Sequence, residues 1–253
     1  MKKKVFVGIG HGGSDAGAVA NGLKESNLAL DIGMRLNKIL KAAGVFTLIS
    51  RTADVDDDLS DKIARCNVFD PDLALDIHIN AGGGEGWEAF VYSGGGTSKL
   101  LAQNIEQEVK KFTISRGLKT RLNSSGADYF GFIRQIKAPS VILEAAFIDN
   151  LKDVERIKTG EGRQKFAEAY SAGILKTLGI KTTEEHTLES GGGCRCRKVY
   201  KALEEVPETG RATVKKLIDK GLLKGDSSPS LGLNLSEELV RMLVINDRAG
   251  LYK

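Results

Sequence analysis

The sequence has few cysteines, no long apolar run and no basic aromatic stripe, and each absence excludes a class of protein. Three cysteines in 253 residues are an odd number, which argues against a disulfide scaffold. No apolar run is long enough to span a membrane, so insertion into a membrane is not expected. No stretch is rich in both arginine and aromatic residues, so nucleic acid is not expected as a partner. The hydrophobic content of 41% is typical of a soluble globular protein.

The chain begins like a signal peptide but does not continue like one. The start "MKKK" is basic, yet the apolar stretch after it is short and no cleavage site follows. We therefore expect a protein that is made in the cytoplasm without an export signal of its own. The net charge of +4 predicts an ordinary solvated surface, with weak attraction to an anionic wall polymer as the alternative.

Strand-like and helix-like segments alternate along the first 180 residues. This alternation predicts an α/β domain over residues 1–180, with a mostly parallel twisted sheet flanked by helices. Asp58 or Ser60 is expected to cap the second helix. The strand-like segments are 4–9, 45–50, 72–79, 86–92 and 140–148, and the helical segments are 25–44, 58–69, 98–112 and 162–179.

The composition changes after residue 180. Residues 181–197 have no apolar period and contain Gly-Gly-Gly, which is typical of a linker. Residues 198–253 carry two further helical patterns and predict a small helical C-terminal module, whose core is marginal without a partner or a second copy. Cys194 and Cys196 are interpreted as incidental thiols, with a link between two chains as the alternative.

Two of the three histidines, His11 and His78, end strand-like runs and precede glycines. Ligands of open α/β sheets bind at the carboxyl ends of the strands. Two histidines and one carboxylate form the open ligand set of a catalytic zinc site, and a second glutamate beside it would act as general base and acid. Glu25 and Glu144 are the candidate carboxylates. Glu144 interrupts the apolar run "SVILEAAFI", where a buried carboxylate is costly, but the residue types alone leave ordinary polar roles open.

Several segments match, in order, the motifs of one known enzyme family. They are "VFVGIGHGG", "GLKESNLALDIGMRLNKIL", "FTLISRTADVDDDLSDKIARCN", "LALDIHINA" and "APSVILEAAFIDNLKD". Over about residues 4–179 the chain thereby resembles the zinc-dependent N-acetylmuramoyl-L-alanine amidases of the type-3 class. Two departures are visible. Asp76 stands where the family usually has serine, and Ala-Ala-Phe replaces the commoner Gly-Phe after Glu144.

The resemblance implies hydrolysis of the amide that joins N-acetylmuramic acid to L-alanine of the peptidoglycan stem peptide. It assigns zinc to His11, Glu25 and His78, and the role of general base and acid to Glu144. Asn80, two residues after His78 on the same strand face, is expected to orient a ligand or to contact substrate. A zinc peptidase that cuts within the stem peptide, and a wall-binding protein without activity, are the alternatives.

The C-terminal segment carries a second resemblance. Residues 206–244 are similar to one S-layer-homology-type wall-binding unit, with a leading Val-Pro, a helix ending in "KGLLKGD" and a second helix with Arg241. Such units usually occur in several copies, so a single copy favours a homodimer that gains avidity, a weak binder or a self-association module. A structural helical cap is the alternative.

These interpretations together define an expected setting for the protein. Peptidoglycan and its associated wall polymer are the expected partners. Without an export signal, the expected protein is a phage or prophage endolysin, cytoplasmic until a holin releases it to the wall.

Overall fold

A computed structural model describes residues 2–180, 199–200, 202–221, 223, 235–236, 240, 243–244 and 247. The chain divides into two compact units, residues 1–186 and 187–253. The predicted linker 181–197, with Cys194 and Cys196, lies outside the described residues, and so does Arg241. No helix in the described part is long and apolar enough to cross a membrane.

The first unit alternates strands and helices, as the sequence pattern predicts. Its strands are β1 (Lys4–Ile9), β2 (Val19–Ala20), β3 (Leu23–Lys24), β4 (Phe46–Ile49), β5 (Leu73–Asn80), β6 (Trp87–Val91), β7 (Ser115–Lys119) and β8 (Ser140–Phe147). Its helices are α1 (Glu25–Ala42), α2 (Leu59–Phe69), α3 (Gly96–Val109), α4 (Gly131–Gln135), α5 (Leu151–Ile157) and α6 (Gly160–Thr177).

Six of these strands form one sheet in the order β4-β1-β5-β8-β6-β7. The four strands from β4 to β8 are parallel to one another, whereas β6 runs antiparallel to β8 and parallel to β7. The predicted α/β fold, with a mostly parallel sheet flanked by helices, is confirmed. The reversed edge formed by β6 and β7 is a feature that the sequence pattern did not reveal.

The two faces of the sheet are covered unequally, and this difference positions the site. Odd-numbered residues of β5 pack into the larger core, against α1, α3 and α6. Even-numbered residues of β5 point to the opposite face, which is covered by α2 and α4, because side chains alternate along a strand. Asp76, His78 and Asn80 therefore lie on the thinly covered face, at the carboxyl end of a central strand.

The second helix has the expected N-cap and a buried cysteine. Asp58 is the N-cap of α2, and its carboxylate accepts a hydrogen bond from the backbone N–H of Ser60 at 2.8 Å. This contact selects Asp58 over Ser60 as the capping residue. Cys66 is a free, fully buried thiol in the same helix and belongs to the smaller apolar core, where it acts as a small apolar residue.

Gly173 allows α6 to pack directly against α3. A Cβ atom added at Gly173 would lie 2.5 Å from Ile105 Cγ1, 2.6 Å from its backbone nitrogen and 2.7 Å from its Cα. Backbone atoms cannot yield without separating the two helices. We therefore expect Gly173→Ala to lower the free energy of unfolding by about 1–3 kcal/mol, measured by denaturant unfolding.

Gly33→Ala in α1 is the matched control for this substitution. The added methyl group would meet the end of the Ile9 side chain at 2.8 Å, and that end can shift. Alanine also favours a helix over glycine by about 1 kcal/mol. We expect Gly33→Ala to cost less than Gly173→Ala. A Gly173→Ala protein as stable as the parent would contradict the close contact.

The second unit contains the predicted first helix and a strand pair that a purely helical module would lack. The helix is α7 (Glu208–Asp219), and β9 (Val199–Tyr200) pairs antiparallel with β10 (Leu235–Ser236). The second predicted helix falls largely outside the described residues. The unit has a small apolar core of its own, formed by Tyr200, Val206, Val214, Leu217, Leu235, Val240 and Leu243.

Candidate metal centre and active site

Three elements that meet at the carboxyl edge of the sheet carry the candidate ligands. His11 lies two residues beyond the end of β1, in the left-handed region with φ of 56°. His78 lies near the end of the neighbouring strand β5. Glu25 is the first residue of α1, at the start of the helical segment 25–44 that the sequence pattern predicts. Residues separated by up to 67 positions in sequence thus converge on one point.

The three candidate side chains form a compact cluster of donor atoms. One ligand atom from each of His11, Glu25 and His78 lies within 4.8 Å of the other two. Glu25 Oε1 lies between the two rings, 3.2 Å from His11 Nε2 and 3.0 Å from His78 Nδ1. Two imidazoles and one carboxylate are a donor set that suits a divalent transition metal, so the residues fit such an ion.

Backbone contacts hold Glu25 in this position. Its Oε1 accepts a hydrogen bond from the N–H of Ile79 at 3.0 Å, and its Oε2 accepts one from the N–H of Ala18 at 2.9 Å. Burial opposes ionisation of this carboxyl, but hydrogen bonds from His11 and His78 hold its pKa well below the usual range. Glu25 is therefore a fixed carboxylate.

The second nitrogen of each histidine ring lies close to an aspartate carboxylate. His11 Nδ1 lies 2.7 Å from Asp15 Oδ2, and His78 Nε2 lies 3.4 Å from Asp76 Oδ2. Burial disfavours the charged form of His78, but the carboxylates of Asp76 and Glu25 raise its pKa to about 10. A metal ion at this position competes with that proton.

Glu144 lies beside the cluster, on the strand next to His78. The two residues are register partners across β5 and β8. The Oε2 atom of Glu144 is buried, and it has no hydrogen-bond partner among the described residues. Burial raises the pKa of this carboxyl to about 7, with the nearby carboxylates adding to the effect. Such a group can both accept and return a proton near neutral pH.

Asn80 does not join the ligand cluster. Its side-chain Nδ2 donates to Glu88 Oε1 at 2.9 Å. Glu88 is buried, and its Oε2 lies 2.7 Å from both Arg116 Nε and Lys119 Nζ. The expected role of Asn80 in orienting a ligand or contacting substrate stays a prediction.

An open cavity of about 540 Å³ adjoins His11 and His78. One part of its wall is apolar and includes Phe130 and Phe132 of the segment around α4. The rest is acidic, and its aspartates are Asp15, Asp56, Asp57, Asp58 and Asp76. The cavity therefore gives access to the two histidines of the cluster, and Ile142 of β8 also lines it.

The sequence pattern assigned no role to three charged residues of this region, Lys62, Asp76 and Glu88. Asp76 and Glu88 lie within otherwise apolar strands, which is the same signal that drew attention to Glu144. Lys62 gave no such signal, because a lysine in an amphipathic helix ordinarily faces solvent. All three are buried in the structure.

Comparison with known proteins places this arrangement in a family. The sporulation-specific N-acetylmuramoyl-L-alanine amidase of Bacillus subtilis (strain 168) is 35% identical over 190 residues, which cover 73% of this chain and 72% of that protein. The endolysin of Bacillus phage SPP1 is 32% identical over 220 residues, which cover 83% of this chain and 74% of that protein.

A solved structure agrees with these relatives. The N-acetylmuramoyl-L-alanine amidase AmiC2 of Nostoc punctiforme matches with a TM-score of 0.64 and 28% identity, over 71% of this chain and 98% of that chain. Residues 5–176 match the Amidase_3 family, described as N-acetylmuramoyl-L-alanine amidase. The chain therefore belongs to the Amidase_3 family of N-acetylmuramoyl-L-alanine amidases, the enzymes that hydrolyse peptidoglycan between the muramic acid and its peptide.

Proposed function

We propose that this amidase is zinc-dependent, with His11, Glu25 and His78 as ligands and Glu144 as general base and acid. The observation that carries the proposal is the cluster of two imidazoles and one carboxylate beside a buried glutamate. The unpartnered Oε2 of Glu144 supports a role in proton transfer, because a buried carboxylate without a partner is costly to keep for structure alone.

The reaction breaks one C–N bond and adds one water. Zinc held by His11, Glu25 and His78 would supply Lewis acidity, which would make water more acidic and a carbonyl more electrophilic. Glu144 accepts a proton from the attacking water, whose oxygen bonds to the lactyl carbonyl carbon of N-acetylmuramic acid. Glu144 then returns the proton to the nitrogen of L-alanine as the C–N bond breaks. The products are the lactyl carboxylic acid and the α-amine of L-alanine, between which the second water proton passes at neutral pH to give a carboxylate and an ammonium group.

The ends of the newly cut chains test the position of the cut. We expect digestion of purified walls to release one new N-terminal alanine per cut, with no new reducing sugar end. Dinitrophenylation of amino termini followed by mass spectrometry measures the first, and a reducing-end assay measures the second. Zinc-chelated protein is the control, and it is expected to release no alanine amine.

Other products would identify the alternatives. A new amino terminus within the stem peptide would show a zinc peptidase. Binding to walls without any new terminus, by zinc-loaded protein, would show a wall-binding protein without activity. Either result would overturn the proposal.

The proposed setting is that of a phage or prophage endolysin, released by a holin and bound to the wall through residues 198–253. Its support is the similarity to the phage SPP1 endolysin, which matches over 220 residues, or 83% of this chain. That match is longer than the family match, which covers residues 5–176. A cosedimentation assay of the full chain with purified walls, before and after extraction of their associated polymer, tests wall binding. Retention that is the same on extracted walls would contradict binding to that polymer. Light scattering of the full chain tests the proposed homodimer.

A further inference from the structure

Asp76 and Lys62 form a buried ion pair directly behind His78. Their side chains are each 4% exposed, and Lys62 Nζ lies 3.3 Å from Asp76 Oδ1. Lys62 Nζ also donates to the backbone carbonyl of Ile9 at 2.8 Å and lies 3.5 Å from Asp57 Oδ2. Buried ion pairs contribute little net stability compared with apolar residues of the same size. The pair therefore calls for a reason other than stability.

The two nitrogens of the His78 ring face two different carboxylates. Nδ1 lies 3.0 Å from Glu25 Oε1, inside the ligand cluster, and Nε2 lies 3.4 Å from Asp76 Oδ2, outside it. His11 has the same arrangement, with Nε2 towards Glu25 and Nδ1 towards Asp15. In each ring, one nitrogen is directed at the metal position and the other at an aspartate.

The neighbouring strand leaves room for this aspartate. Gly8 of β1 is the register partner of Asp76. A Cβ atom at Gly8 would lie 2.6 Å from Asp76 Oδ1 and 2.9 Å from the backbone oxygen of Leu75. Glycine at this position therefore allows the Asp76 carboxylate to lie between β1 and Lys62.

We propose that Asp76, held by Lys62, is a positioning residue for His78. Its carboxylate, 3.4 Å from Nε2, attracts the protonated Nε2 side of the ring, which favours this ring orientation and leaves the Nδ1 lone pair for the metal. A carboxylate behind a ligating histidine also makes that ligand more basic. Lys62 compensates the charge of Asp76, which would otherwise add to the charges of Glu25 and Glu144. The inference rests on the proposed metal site.

Zinc affinity of the full chain, measured by competition with a chromophoric chelator, tests this role. We expect Asp76→Ser to weaken zinc binding by about 10–100-fold, the usual effect of losing such a contact. Asp76→Asn is expected to fall between Asp76→Ser and the parent, because its amide oxygen still faces Nε2 without a charge. Asp76→Ser protein that binds zinc as tightly as the parent would overturn the proposal.

Asp153→Asn is the matched control for loss of a buried carboxylate. Asp153 is fully buried and pairs with Arg156 at 2.6 Å, but it is not part of the ligand cluster. This substitution is expected to lower the free energy of unfolding and to leave zinc affinity unchanged. An equal loss of zinc affinity in Asp153→Asn would show that any buried defect has this effect, and would overturn the specific role of Asp76.

The double variant Lys62→Met/Asp76→Ser separates positioning from stability. Asp76→Ser alone leaves the Lys62 charge without its closest carboxylate, so the metal-free protein is expected to be less stable. The double variant removes both charges and is expected to recover part of that stability, since the Ile9 carbonyl and Asp57 still lose their contacts with Lys62. Its zinc affinity is expected to stay below that of the parent, because the carboxylate that faces Nε2 is still missing. Recovery of both quantities together would overturn the proposal.

Zinc binding by the parent protein distinguishes failure of the proposed metal site from failure of the proposed role of Asp76. If the parent binds no zinc, the proposed metal site fails and this inference fails with it. If the parent binds zinc and Asp76→Ser binds it equally well, only this inference fails. Denaturant unfolding of each metal-free variant shows whether a loss of affinity comes from a protein that does not fold.

Discussion

Glu144→Gln is expected to lower peptidoglycan hydrolysis by about 10²–10⁴-fold while zinc stays bound, because general acid–base catalysis contributes about that factor. Glutamine has the same shape as glutamate but cannot accept the water proton at neutral pH. The rate of release of alanine amines from purified walls measures the first effect, and the zinc content of the purified protein measures the second. Glu144→Ala is expected to behave in the same way.

Glu144→Gln is expected to leave the free energy of unfolding equal to that of the parent. Glu144 Oε2 is buried without a hydrogen-bond partner among the described residues, so the native carboxylate makes no contact there that glutamine would break. Groups placed for catalysis often cost stability rather than add to it. Loss of activity with unchanged stability distinguishes a catalytic residue from a structural one.

Glu106→Gln serves as the control for this prediction. Glu106 pairs with Lys110 at the surface of α3, outside the ligand cluster, and its replacement is expected to leave hydrolysis unchanged. Glu144→Gln protein that lyses walls at the rate of the parent would remove Glu144 from the mechanism. Loss of bound zinc in Glu144→Gln would instead give this residue a ligand role.

The central elements of the fold could be predicted because their local patterns are strong. β5 and β8 are nearly continuous apolar runs, as expected for strands buried on both faces of a sheet. β7 was not predicted, because its sequence SRGLK has no apolar period. It lies at the edge of the sheet and pairs with β6 in an irregular register. α4 and α5 have five and seven residues, which is too short for helical periodicity to appear.

The candidate ligands were predictable, but the charged groups behind them were not. His11 and His78 end apolar strands, and that position gives each a local signal. The contact between Lys62 and Asp76 joins a helix to a strand 14 residues away, and only the packing of α2 on the smaller face of the sheet brings them together. Contacts set by packing leave no periodic trace in the sequence.

His78→Ala is expected to lose zinc and, with it, hydrolysis. The remaining donors, His11 and Glu25, would hold the ion with two side chains rather than three. Removal of a ligand is expected to weaken binding by more than the roughly 10–100-fold that follows loss of an outer contact. Metal analysis after gel filtration in metal-free buffer measures retention, and the alanine-amine assay measures hydrolysis.

Chelation of the parent protein tests the same dependence without a substitution. We expect a strong chelator to abolish hydrolysis and added zinc to restore it in the parent. The same zinc concentration is expected to restore little activity in His78→Ala, because the ligand itself is missing. Hydrolysis by chelated parent protein, shown to be free of zinc, would contradict the metal-dependent mechanism.

Asn80→Ala is the control on the same strand, two residues beyond His78. Its side chain bonds to Glu88 rather than to the ligand cluster, so we expect Asn80→Ala to keep its zinc, which would leave substrate contact as the predicted role of Asn80. Stoichiometric zinc in His78→Ala would remove that residue from the ligand set. Loss of zinc from both variants would instead point to disruption of the end of β5, since they share that strand and not the cluster. If His78 is a ligand, His78→Ala loses zinc and Asn80→Ala retains it.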